Sequence, residues 1–240
     1  MGKISGCYTR ILVGGYNLSP VSNNLEIGHA FDTHDVAGFE CIHHFIPGQE
    51  MISFTHGGLF EQDTAHAALK VTGGEQMVTT LVGQNAAPVV GDPAHIFYSW
   101  EGQYNVSPAT SAAVPFNAAY MAKGDRAGGW GIALAPIITI TNTTDGTGVD
   151  NGAGTSNGGI ASLHVLLAAA TDTYVVKVQH STDDITYADL ATFSLDGSAI
   201  GAEFELVAAG TTVNRYVRYQ ATRTGSAGDD LTLAVAFARL

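Results

Sequence analysis

The chain is 240 residues long, with a formal net charge of −12, 29 glycines and only 13% charged residues. Residues 1–130 and 131–240 each hold eleven acidic and five basic side chains, so the acidity is global and argues against a surface that neutralises phosphates to read nucleic acid. Two cysteines without a CxxC pair exclude a zinc ribbon, and no apolar run nears the roughly 18 residues that a membrane span needs.

Few charges among many small and β-branched residues suit a β protein that buries surface against copies of itself. The length accommodates two domains, each with its own core. Cys7 and Cys41 read as reduced thiols. The opening Met1-Gly2-Lys3-Ile4-Ser5-Gly6 shows no apolar run of the signal-peptide kind, so folding in a cytoplasm is expected.

In chain order, residues 8–13 read as a first strand, broken at Gly14-Gly15, and residues 24–27 as a short second one. Residues 28–38 read as a polar loop whose order depends on contact with a neighbour. Residues 40–46 and 50–60 then read as two strands joined by a tight turn at Pro47-Gly48, because proline presets φ and glycine accepts a positive φ. Ile52, Phe54 and His56 alternate with Met51, Ser53 and Thr55, which predicts one dry and one wet face. Residues 61–70 predict a short helix, acidic in its opening turn and ending on Lys70. Strands follow at 75–82, 95–104, 110–121 and 129–141.

The Gly-, Asn- and Thr-rich stretch 141–159 has Asp145 and Asp150 as its only charges and reads as flexible. It places a boundary nearby, with domains expected at 1–137 and 138–240. Strands are predicted at 161–167, 174–180, 188–194, 203–207, 215–221 and 231–238, a compact β-sandwich.

No catalytic or cofactor signature stands out. The nine histidines show no HExxH or similar spacing, and adjacent His43 and His44 on a strand point to opposite faces. Asp32, His34 and Asp35 lack a nucleophile elbow to complete an acid–base set. Asp145 and Asp150 lack the ligand density of a calcium loop, and the glycines are not followed by Gly-Lys-Ser or Gly-Lys-Thr. Trp100 and Trp130 need cover from the core or a neighbour, and Tyr174, Tyr187, Tyr216 and Tyr219 read as packing before they read as a sugar-stacking platform.

Asp35-Val36-Ala37-Gly38-Phe39, Phe45-Ile46-Pro47-Gly48, Ile52-Ser53-Phe54 and Gly58-Leu59-Phe60 occur in that order, and residues 4–137 resemble the tail tube proteins of long-tailed bacteriophages. Residues 175–184 and 215–219, with the Ala-Phe-Ala-Arg-Leu ending, resemble discoidin-like jelly rolls and the outer domain appended to many phage tail proteins. The resemblance implies a mainly β fold: a tail-tube-like sandwich or partial barrel with one short helix, then a jelly-roll or immunoglobulin-like sandwich. It implies a non-enzymatic virion subunit without cofactor. Copies would join their sheets into rings, usually of six, and the rings would stack into a tube. Genomic DNA would pass through it without sequence-specific binding, and tape measure, terminator and distal tail proteins would be partners. Within this picture Glu40, His44, Glu50, Ser53 and Thr55 are expected to line the lumen. Phe31, Asp32, His34, Asp35 and Phe39 are expected to meet a neighbouring subunit or ring. The alternative is a capsid decoration or tail-tip protein that holds host glycans through its C-terminal domain.

Overall fold

The computed structural model describes residues 6–37, 42–84, 86–124, 126 and 128–240. The chain is mainly antiparallel β: β1 (Thr9–Val13), β2 (Tyr16–Asn17), β3 (Ser22–Asp35), β4 (Phe45–Leu59), β5 (Glu75–Val82), β6 (Pro93–Val106), β7 (Pro115–Ala122) and β8 (Gly128–Ile140) precede β9 (Thr144–Asp145) and β10 (Val149–Asp150). Then come β11 (Gly159–Leu167), β12 (Thr173–Ser181), β13 (Ala188–Thr192), β14 (Gly201–Val207), β15 (Tyr216–Thr224) and β16 (Leu231–Arg239). The expected helix is one π-wound turn, Gln62–His66, running into one α turn, Ala67–Leu69. Among the described residues no helix is long and apolar enough to cross a membrane.

The expected turn at Pro47-Gly48 is not a turn, and the expected loop 28–38 is largely strand. β3 and β4 form one long antiparallel hairpin, and its reversal falls between Asp35 and Phe45. Pro47 sits in the ladder opposite Thr33. Between Phe31↔Glu50 and Thr33↔Pro47, β4 sets two residues, Gly48 and Gln49, against the single Asp32 of β3, so the expected turn is absorbed as a bulge just after Pro47. Gly48 is needed there, since a Cβ would stand 2.8 Å from His34 Nε2 and 3.0 Å from the Asp32 Cβ. Proline is tolerated because β4 has no second partner strand at this point. Residues 28–35 look like a loop in sequence because both their faces meet solvent, and such a strand carries no apolar alternation.

The larger sheet has eleven strands and runs β14-β11-β16-β8-β6-β5-β1-β2, with β7, β4 and β3 branching from β6. A second, five-stranded sheet holds β10-β15-β12-β13, with β9 on β15. The large sheet curls until its ends meet. A Cβ on Gly15 would stand 2.5 Å from the Gly201 backbone nitrogen, and the Tyr98 and Phe204 rings stack at 5.0 Å. β11 and β16 are thereby buried on both faces, which is why their sequences are nearly continuous apolar runs.

The division expected at residues 137 and 138 falls inside β8. That strand pairs with β6 through Pro93↔Ile132 and with β16 through Leu231↔Ile140, so the halves share a sheet. Each half has its own core, around Phe54, Phe97 and Tyr120 in one and Tyr174, Val176 and Leu233 in the other. A third cluster, built from Leu12, Leu81, Ile96, Ile160 and small alanines, seals the seam. The 141–159 stretch, expected to be flexible, is tied down on β15. Gly146 N–H donates to the Tyr219 carbonyl at 2.9 Å and Asn151 N–H to the Arg215 carbonyl at 3.0 Å, while Asp150 takes both Arg215 Nε (2.7 Å) and Nη2 (2.5 Å).

One carboxylate is out of place in the first core. Glu101 is fully buried, neither of its oxygens is in good hydrogen-bond geometry among the described residues, and the nearby Gln76 side chain offsets only part of the cost of burial. Burial pushes its carboxyl up from 4.5 to about 7. The folded state then holds a proton that the unfolded state releases, so this group lowers stability as pH rises from 4.5 through 7. Glu101→Gln removes the titration. Urea unfolding of wild type and variant should show the wild type losing about 2–3 kcal/mol more than the variant between pH 5 and pH 8. Parallel curves would mean that Glu101 has a partner in solution.

Candidate assembly surface

The distal part of the β3–β4 hairpin projects as an arm. Among the described residues β7 pairs with β4 only from Ser53 to Leu59, so residues 45–52 have β3 alone beside them, and β3 has no strand on its outer edge. At about 3.3 Å per residue these eight residues carry the arm roughly 26 Å past the end of the β7 ladder. The arm does not hide its apolar side chains: Phe31 is 58% exposed and Phe45 63%, and Ile46 and Met51 are exposed as well. Cross-strand pairing puts Phe31 and Phe45 on the continuation of the face that buries Ile52 and Phe54, with Ile46 and Met51 on the other.

The arm is fastened at its base and at its tip. At the base, His29 Nδ1 lies 3.2 Å from Glu50 Oε1, and its Nε2 lies 2.9 Å from Nε2 of the buried His95 on β6. His95 in turn packs edge-on to Trp130, with ring centroids 5.0 Å apart. Burial holds His95 down at about 4, so it is neutral and one of the two facing nitrogens donates to the other. At the tip, Val36 N–H donates to the His44 carbonyl at 2.7 Å and Ala37 N–H to Asp35 Oδ1 at 2.9 Å, while His43 contacts the same carboxylate. The Ala37 amide, and after it His43, holds the Asp35 carboxyl below its usual range.

The residues expected to meet a neighbour, Phe31, Asp32, His34 and Asp35, are brought together along this arm and are all exposed. Phe39 and Glu40 lie outside the described residues. The residues expected to line a lumen do not share one face. Ser53 and Thr55 are half-buried on the outer face of the sheet, Glu50 points to the opposite face beside His29, and His44 sits at the tip.

That outer face is ordered in rows. One row is Asn24, Gly57, Asn117 and Asn105, and the next is Glu26, Thr55, Ala119 and Gln103. A third is Gly28, Ser53, Met121, Trp100 and Glu75. The first two rows are polar or small and hold no lysine or arginine. The third opens an apolar rim, with Met121 65% and Trp100 56% exposed and Met51 adjoining. The sequence shows these residues only as ordinary strand positions, and their assembly into rows depends on register.

The other candidates are placed elsewhere. His56 and His164 are buried in the cores, 3.2 Å from the Tyr120 hydroxyl and 2.9 Å from the Thr79 hydroxyl respectively, and burial pulls them down to about 4 and about 3. Among the described residues no group of three or more His, Cys, Asp or Glu side chains is arranged to hold a metal ion. Asp145 and Asp150 pair with Arg218 and Arg215. Tyr174 and Tyr219 are buried packing residues, while Arg218 covers the Tyr187 ring at 3.9 Å and Arg215 the Tyr216 ring at 5.0 Å.

No family model matches the chain, and no curated protein matches it. Among solved structures it is similar to a chain of the virion of a native gene transfer agent particle, with a TM-score of 0.41 and 14% identity over 53% of this chain and 98% of that one. It is also similar to a chain from the tail of an empty gene transfer agent particle, with a TM-score of 0.37 and 12% identity over 47% and 81%. A third is the SPP1 Dit protein, described as a paradigm of the hub adsorption apparatus in phages that infect Gram-positive hosts, with a TM-score of 0.33 and 9% identity over 96% and 99%. Overlaps with TM-scores below 0.5 do not establish a common fold.

The base clasp is testable. His29→Ala leaves the buried His95 Nε2 without its partner and releases β3 from β6. Losing a hydrogen bond worth about 1 kcal/mol should speed amide hydrogen exchange in residues 28–35 and 45–52 by roughly fivefold. Exchange in β5 should not change. Unaltered exchange along the arm would show that β3–β4 pairing alone sets its position.

Proposed function

We propose that this chain is a structural, non-enzymatic subunit of a bacteriophage tail, which assembles with its own copies into stacked rings that conduct DNA. The single observation that carries the proposal is the arm. A two-stranded ribbon is marginal in water on its own, its open edges invite pairing, and its exposed Phe31, Phe45, Ile46 and Met51 need cover. Such an element makes physical sense when a neighbour completes it.

Charge supports the same reading. The two polar rows, the second of which holds Thr55, make a wall with Glu26 and no cation, on a chain of net charge −12. A wall of that kind lets a polyanion pass without holding it. The described residues of the motifs within 35–60 that resemble tail tube proteins lie on the arm and its root. The tape measure, terminator and distal tail proteins are the further partners this role requires, and the virion tail is where it would act.

Negative-stain electron microscopy over a concentration series tests the proposal. Hollow tubes or stacked rings are expected, and uniform monomers at every concentration would overturn it. Phe31→Ser combined with Phe45→Ser should abolish long polymers. Because both side chains are exposed, the change should cost the folded monomer no more than about 0.5 kcal/mol each, read by thermal unfolding.

A further inference from the structure

The arm needs a seat, and the chain presents one of matching character. Trp100 and Met121 are cross-strand neighbours on the outer face, and Met51 adjoins them past Ser53. The turn that follows the helix borders the rim: Gly73 N–H donates to the Glu101 carbonyl at 2.8 Å, Glu101 N–H to the Gly74 carbonyl at 3.1 Å and Gly74 N–H to the Val71 carbonyl at 2.8 Å, which sets the Val71–Gly74 turn against the end of β6 with Lys70 just before it in the chain. Val71 is 50% exposed. Lys70 is exposed, and among the described residues no carboxylate lies within ion-pair distance of it.

The arm carries the complementary charge. Residues 11–69 contain no lysine or arginine, and Asp32 stands exposed beside Phe31 with no hydrogen-bond or ion-pair partner among the described residues. An extended ribbon that leaves the β7 ladder for roughly 26 Å cannot fold back onto the same chain's rim. A second copy, which carries the same acidic and apolar arm, supplies an occupant of matching character.

We infer that the rim of Trp100, Met121 and Val71, with Lys70 at its end, receives the arm of a second copy of this chain, with Asp32 of the arm facing Lys70. Arm and rim are different surfaces, so the contact is heterologous and repeats from copy to copy, closing a ring or extending a stack. The inference rests on the tail-subunit reading and names the partner surface within it. It also separates two uses of one sheet face: the polar rows around Thr55 stay open, and the apolar row is covered.

The test uses the full chain, the Phe31→Ser, Phe45→Ser arm variant and four more: Trp100→Ser, Lys70→Glu, Asp32→Lys, and Lys70→Glu combined with Asp32→Lys. Sedimentation velocity over a concentration series gives the concentration at which assembly begins, and thermal unfolding verifies that each variant is folded. Each single variant should raise that concentration about tenfold, and the double charge exchange should return it to within about threefold of wild type. If Trp100→Ser and Lys70→Glu assemble like wild type while the Phe31→Ser, Phe45→Ser variant does not, the seat is wrong and the arm's role stands. If the single charge variants fail and the exchange does not restore assembly, the pairing of Asp32 with Lys70 is refuted. If the arm variant also assembles like wild type, the failure belongs to the tail-subunit reading itself.

Discussion

The whole molecule hangs on β6. One edge of this 14-residue strand is occupied by β5, from Leu81↔Ala94 to Glu75↔Trp100. The other edge is shared, with β8 taking residues 93–97 and β7 taking Ser99 onward. A strand edge offers each backbone group one partner, so β7 and β8 must diverge where they hand over. Along β8 the chain reaches β16, β11 and the second sheet, and along β7 it reaches β4, β3 and the arm. The bulge between Glu101 and Gln103 lies in the β7-paired stretch, beside the buried Glu101.

Sharing β6 makes the two halves one continuous sheet, and this has an energetic consequence. The middle layer has a core on each side, so the polar groups trapped in it must satisfy one another. Thr79 does part of this: its hydroxyl lies 3.0 Å from the Ser162 hydroxyl and 2.9 Å from His164 Nε2, which bonds β5 to β11 across the curled seam, while Thr80 Oγ1 and His164 Nδ1 find no partner among the described residues. His56 stacks on Tyr120 in the first core in the same neutral state. Histidines kept neutral by burial strengthen the body at neutral pH and oppose folding as pH falls below 6.5, because the unfolded chain takes up protons that the folded chain refuses. Among the described residues the arm is the large element that runs from this packed body into solvent.

Rigidity and exposure together are what a repeating assembly uses. The arm is fixed at its base by Glu50, His29 and His95, so in the proposed assembly little conformational entropy would be lost when a neighbour docks on it. The outer face of β3, β4, β7 and β6 is polar in two rows and apolar in the third, so one sheet can present a wet wall and a dry contact side by side.

Local periodicity was enough to locate most of the fold. The alternation of Ile52, Phe54 and His56, the strand at 75–82 and the six strands after Gly159 are all legible because a half-buried strand writes its burial into its own sequence. The arm was not legible: residues 28–35 are solvated on both faces, and Pro47-Gly48 carries the local signature of a turn that the ladder turns into a bulge. The polar character of the segment that holds Phe31, Asp32, His34 and Asp35 could be read from composition, but the exposure of these residues and their alignment along a ribbon could not. Nor could the rows of the outer face, because pairing Ser53 with Met121 and Met121 with Trp100 is a matter of register between distant strands. The same holds for the sharing of β8 by both halves, which rests on pairs such as Thr139 with Thr232, whose hydroxyls meet at 2.8 Å. Composition and period act between neighbours in the chain and so determined strands, turns and charge; which strands meet, and which residues a partner would touch, was decided by contacts that form only when the whole chain closes on itself.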